Sequence, residues 1–85
     1  MQVHIGKLEK TEVDGVATFA VADKPSCNEQ YEVFVTDHPA ASRGVPKRVA
    51  FTSKKGNVAF IAQSELLDSD KEEVVKAVSE WQAKK

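Results

Sequence analysis

"LEKTEVDGVATFAV", residues 8–21, decides the fold. Asp14 and Gly15 stand between two valines, and Asp-Gly supplies the two positive-φ residues of a type I′ turn, the strongest short-range cue for a β-hairpin. A turn there pairs Val13 with Val16, Glu12 with Ala17, Lys10 with Phe19 and Leu8 with Val21. Leu8, Ala17, Phe19 and Val21 then share one face. Carried backwards, the same alternation leaves Val3 and Ile5 on the wrong face. The spacing therefore predicts a bent first strand. Either a β-bulge sits at Gly6, where an extra residue is cheapest, or the strand ends one pairing near Gly6 and serves a second.

Downstream, "DKPSCNEQ" (23–30) is turn chemistry without periodicity. "YEVFVT" (31–36) alternates, with Tyr31, Val33 and Val35 on one side and Glu32, Phe34 and Thr36 on the other. "DHPAASRGVP" (37–46), with two prolines and a glycine, is a long connection for a hairpin and reads as a crossing or functional loop. "KRVAFTSKKGNVAFIAQ" (47–63) is a second hairpin. An even loop at Lys55-Gly56 gathers Val49, Phe51, Val58 and Phe60 on one face and sends Arg48, Ala50, Thr52, Lys54, Ala59 and Ile61 to the other; a three-residue loop would split the apolar set.

The C-terminal segment is a helix. Ser69 and Glu72 have capping-box spacing, Asp68, Asp70, Glu72 and Glu73 complement its positive end, and Lys84 and Lys85 its negative end. Val74, Ala77, Val78 and Trp81 form an apolar stripe, with Trp81 as a core plug. "SELL" (64–67) adds a turn in front, with Leu66 or Leu67 packing inward.

The fold class is α+β: a five-stranded antiparallel sheet or half-open small barrel, with one C-terminal helix on its apolar face. Strand–helix–strand alternation is missing, which excludes a doubly wound parallel sheet. The expected buried set is Leu8, Phe19, Val21, Val33, Val35, Val49, Phe51, Val58, Phe60, Val74, Val78 and Trp81. With 85 residues the chain forms one domain, 1–85, with a single modest core.

A hydrophobic share of 41% against 29% charged fits an ordinary globular chain and argues against disorder. No apolar run reaches the roughly 20 residues of a membrane span, and no secretory leader is visible at the N-terminus. The single cysteine fits a reducing compartment, so a cytoplasmic location is expected and no membrane contact.

Charge is distributed unevenly. The net is −1, yet residues 39–64 carry Arg43, Lys47, Arg48, Lys54 and Lys55 with no acid at all, while acids outnumber bases on both sides. The chain reads acidic, basic, acidic. With Arg48 and Lys54 on one sheet face, Lys55 at a hairpin tip and Arg43 and Lys47 entering from the loop, the five converge on one positive patch.

Candidates for chemistry are few. Cys27, His38 and Asp37 could supply a thiol, a base and an orienting acid, but no local motif joins them. His4 adds no metal-ligand spacing, and the acids at 68–73 are explained by helix capping. "KGNVAFIAQ" (55–63) has Asn57 where the RNA-recognition motif needs an aromatic, and "TEVDGV" is a turn where that motif needs a helix. No catalytic residue, metal site or cofactor is expected. The sequence points to a small non-enzymatic binding or regulatory module. It would meet an acidic protein surface through Arg43, Lys47, Arg48, Lys54 and Lys55 and the 37–46 loop. The alternative is a nucleic-acid accessory protein using the same patch, and a small thiol/His enzyme or ligand carrier comes third. Phe34 has two readings: an exposed ring among these cations suits base stacking or partner contact, whereas a buried one caps a second small core.

Overall fold

The computed structural model describes residues 1–26, 29–39, 41–42 and 44–84. Five strands, β1 (Gln2–Val13), β2 (Val16–Ala22), β3 (Gln30–Thr36), β4 (Lys47–Ser53) and β5 (Val58–Phe60), precede one helix, α1 (Asp68–Ala83). The strands form one antiparallel sheet in the order β2-β1-β3-β4-β5. The sheet is not closed, in keeping with the antiparallel-sheet reading.

The first hairpin forms in the register that Asp14-Gly15 implies. Val13 faces Val16, Lys10 faces Phe19 and Leu8 faces Val21. Asp14 at φ 53° and Gly15 at φ 78° supply the two left-handed residues of the turn. Of the two alternatives at Gly6, the change of pairing partner is the one that forms. Residues 2–6 of β1 pair with β3, and residues 7–13 pair with β2. Gly6 joins the two halves at φ 151°, and a Cβ there would overlap the Ala22 carbonyl. Only glycine fits.

The main core lies between the sheet and α1. Val33, Val35, Val49, Ala50, Leu66, Val74 and Val78 are buried together, with Met1, Val3, Ile5, Val58, Phe60 and Trp81 packed around them. Val3 and Ile5 face this core by the alternation of β1, opposite Val35 and Val33, while Phe19 and Val21 lie on the far face with His4.

The second hairpin departs from the even-loop expectation. Ser53 N–H donates to Asn57 O and Gly56 N–H to Ser53 O, which leaves a three-residue loop, Lys54-Lys55-Gly56, with Gly56 at φ 85°. This is the type I turn plus left-handed glycine that three-residue hairpins favour. Thr52 pairs with Val58 and Ala50 with Phe60, so Val58 and Phe60 share the core side with Ala50 and Thr52, both buried. Phe51 pairs with Ala59 on the far face.

The apolar set is split, and a bulge explains how Val49 stays inside. Val33 pairs with Ala50 but Phe34 with Arg48, leaving Val49 as the extra residue of β4. The bulge buries Val49 and Ala50 in succession, both at 0% exposure, and still turns Arg48 outward.

Of the expected buried set, Val33, Val35, Val49, Val74 and Val78 are fully inside. Leu8, Phe19, Val21, Phe51, Val58, Phe60 and Trp81 are half-buried. Tyr31, Phe34, Thr52 and Ser64 are additional buried residues. Trp81 is a rim residue rather than a plug. Its ring meets Tyr31 edge-on at 4.7 Å, and its indole N–H donates to Asp23 Oδ1 at 3.3 Å.

The helix start also differs. Leu67 is the N-cap, and its N–H donates to Asp70 Oδ2 at 3.3 Å, so Asp70 takes the part expected of Glu72. "SELL" adds no helical turn. Leu66 packs inward and Leu67 is 70% exposed. Lys84 lies at the C-cap, and Lys85 lies outside the described residues.

Candidate functional site

The segment between β3 and β4 is organised by its own turns and by one long-range bond. Asp37 leaves β3 at φ 59°, Ala41 N–H donates to His38 O, and Val45 N–H donates to Ser42 O. His38 then reaches α1, where its Nε2 lies 2.8 Å from Asp70 Oδ2. A carboxylate only accepts, so Nε2 carries the proton. This hydrogen bond holds the Asp70 carboxyl below its ordinary value, and the Leu67 N–H adds to the effect. Both side chains are largely sheltered, at 12% and 19% exposure. Asp37, His38, Pro39, Ala41, Ser42 and Gly44 line an open depression of about 490 Å³ beside this link.

Two cations stand where β4 leaves the loop. Lys47 Nζ lies 3.3 Å from Glu65 Oε2, and Arg48 Nη1 lies 3.0 Å from Glu32 Oε1. The Arg48 guanidinium also covers the Phe51 ring at 5.3 Å. Register places Lys47 with Val35 on the helix side and Arg48 with Phe34 on the far side, so the two charges straddle the sheet end next to the loop.

Lys54 and Lys55 lie at the other end of β4, in the exposed hairpin loop. Six residues of extended chain separate Arg48 from Lys54, or roughly 20 Å. The four described cations therefore form two groups rather than one patch, because the strand that links them is extended. Near the second group, Gln82 Nε2 donates to the Lys54 carbonyl and ties the loop to the end of α1. Arg43 lies outside the described residues, as does Cys27.

Phe34 is 3% exposed. It sits on the far face opposite His4 in β1, and His4 Nε2 is hydrogen-bonded to Thr36 Oγ1 at 2.9 Å. A cavity of about 160 Å³ over this face is lined by His4, Phe19, Val21, Thr36, Gly44 and Pro46, so the bent hairpin and the loop roof it. Phe34 belongs to a second small core and presents no ring for stacking.

His38 is bonded to Asp70 on α1, and Cys27, the thiol of the Cys27–His38–Asp37 set, lies outside the described residues. The Asp70 partnership, like the Glu32 and Glu65 partnerships, had no signal in the local sequence. Each partner comes from a different element, 16 to 32 residues away. Among the described residues no group of three His, Cys, Asp or Glu side chains is placed to hold a metal ion, and no helix is long and apolar enough to cross a membrane. Comparison with family models, with curated proteins and with solved structures finds no match to this chain.

Proposed function

We propose that this chain is a non-enzymatic binding module that docks an acidic protein surface on the 37–46 loop and the Lys47–Arg48 end of β4. The observation that carries this reading is the His38–Asp70 bond beside two cations. It holds the loop at His38 against the helix before any partner arrives, and pre-ordering reduces what binding must spend on ordering. Lys47 and Arg48 are each paired with a carboxylate in this chain. Arg48 and Glu65 are well exposed, at 53% and 70%. Their partners Lys47 and Glu32 are more sheltered, at 24% and 16%, but each pair opens to solvent on one side. A surface pair contributes about 1 kcal/mol or less, so a partner carboxylate can replace the internal one.

Lys54 and Lys55 join the contact only for a partner long enough to span β4. Nucleic acid is the second reading, carried by the same cations. A pull-down from native lysate with and without nuclease separates the two, using the Lys47→Gln/Arg48→Gln variant as the comparison. Protein bands that survive nuclease and disappear with the variant support the protein reading. Bands lost with nuclease overturn it in favour of nucleic acid.

A further inference from the structure

The strand β2, "VATFAVA" (16–22), is an outer edge of the sheet and pairs only with β1. It carries no charge, no proline and no bulge, the usual devices that protect an edge. Most of it is exposed, including Val16 at 65%. In a two-residue hairpin the residues flanking the turn bond to each other. Val16, Thr18, Ala20 and Ala22 therefore spend their backbone groups on β1, by the alternation of an antiparallel ladder. Ala17, Phe19 and Val21 point theirs outward, unpaired among the described residues.

We infer that β2 pairs antiparallel with β2 of a second copy of this chain, about a two-fold axis at Phe19. That register uses the whole strand. Phe19 faces Phe19 of the other copy, and Ala17 faces its Val21 twice over, so all the outward backbone groups bond. Small side chains meet on the other face, Thr18 against Ala20 and Val16 against Ala22. The same register sets Asp14 opposite Lys24 of the other copy, again twice, so the ends are complementary in charge. Lys24 pairs with Glu9 of β1 in its own chain, an exposed ion pair that it exchanges for Asp14 of the other copy. The contact is closed, because the two-fold consumes both β2 edges. What remains outside is β5, only three residues long.

The test is a concentration series of the full chain by sedimentation, combined with amide exchange read residue by residue. The expected result is a shift from 9.3 kDa to twice that mass. Protection of the Ala17, Phe19 and Val21 amides should rise with concentration, while Thr18 and Ala20 stay protected throughout. Ala17→Pro removes one outward donor and no bond to β1, and should lower the association constant at least tenfold. Should that variant misfold, Thr18→Lys serves instead, since it keeps every backbone group and sets two like charges roughly 7 Å apart across the axis. A 9.3 kDa species at every concentration up to the solubility limit overturns the inference. So does a dimer that leaves the three amides unprotected, open-ended aggregation, or unchanged association in Thr18→Lys.

Discussion

His38 and Asp70 stand 32 residues apart in the chain and 2.8 Å apart in the fold, and their bond joins the β3–β4 loop to the first turn of α1. The same Asp70 oxygen accepts the N–H of Leu67, so one carboxylate caps the helix and anchors the loop.

His38→Ala should therefore release the loop without unfolding the sheet. The amides of Ala41 and Val45, bonded within the loop, are expected to exchange faster, while those of β3 and β4 keep wild-type protection. Equal exchange at Ala41 and Val45 in the two proteins would show that the bond does not organise the loop.

The Asp70 carboxyl is held below its ordinary value of 3.8 in the folded chain. A depressed carboxylate stabilises the fold fully above its unfolded value, and that contribution is lost as pH falls through the folded value. Urea midpoints of wild type and Asp70→Asn should differ by a constant amount from about pH 6 to about pH 5, then converge as pH drops below about 4. A gap that stays constant into strong acid would assign Asp70 no ionic role.

Gly6→Ala combines a positive φ with overlap against the Ala22 carbonyl. A loss of about 3 kcal/mol is expected from thermal or urea unfolding, with the β1–β2 pairing the first to open. A variant as stable as wild type would mean that β1 can bend without the glycine.

At Trp81, truncation and trimming should separate packing from hydrogen bonding. Trp81→Ala is expected to cost about 3 kcal/mol, the low end for a large aromatic, because the ring is only half-buried. Trp81→Phe retains an edge for Tyr31 but drops the bond to Asp23, for a loss of about 1 kcal/mol. Equal losses would place the energy in the hydrogen bond instead of the ring contact.

Much of the fold is legible where a local signal fixes geometry. Asp14-Gly15 sets a hairpin register to the residue, and Gly6 marks the point where β1 changes partner. The second hairpin departs from its local pattern. An even loop would keep Val49 with Phe51, and a bulge removes that need by burying Val49 next to Ala50. Two adjacent apolar residues between Arg48 and Phe51 were the available trace of it. The site is less legible, because charge runs show where cations lie along the chain but not across a strand. Lys47 and Lys54 look close in sequence, yet extended backbone carries them to opposite ends. The bonds that shape the site, His38 to Asp70 and Arg48 to Glu32, join separate elements and leave no periodic trace.

The proposed docking of an acidic protein at the loop end of β4 is tested most directly by one affinity comparison. Binding of the captured partner is measured for wild type, for Lys47→Gln/Arg48→Gln and for Lys54→Gln/Lys55→Gln, each across a salt series. The loop-end variant should bind at least tenfold more weakly, with only a small drop in its unfolding midpoint, because each surface ion pair it removes contributes about 1 kcal/mol or less. The hairpin-tip variant should stay within about threefold of wild type, and wild-type binding should weaken as salt rises past about 0.1 M, where charges are screened over about 10 Å. Undiminished binding by Lys47→Gln/Arg48→Gln at every salt concentration would contradict the proposal.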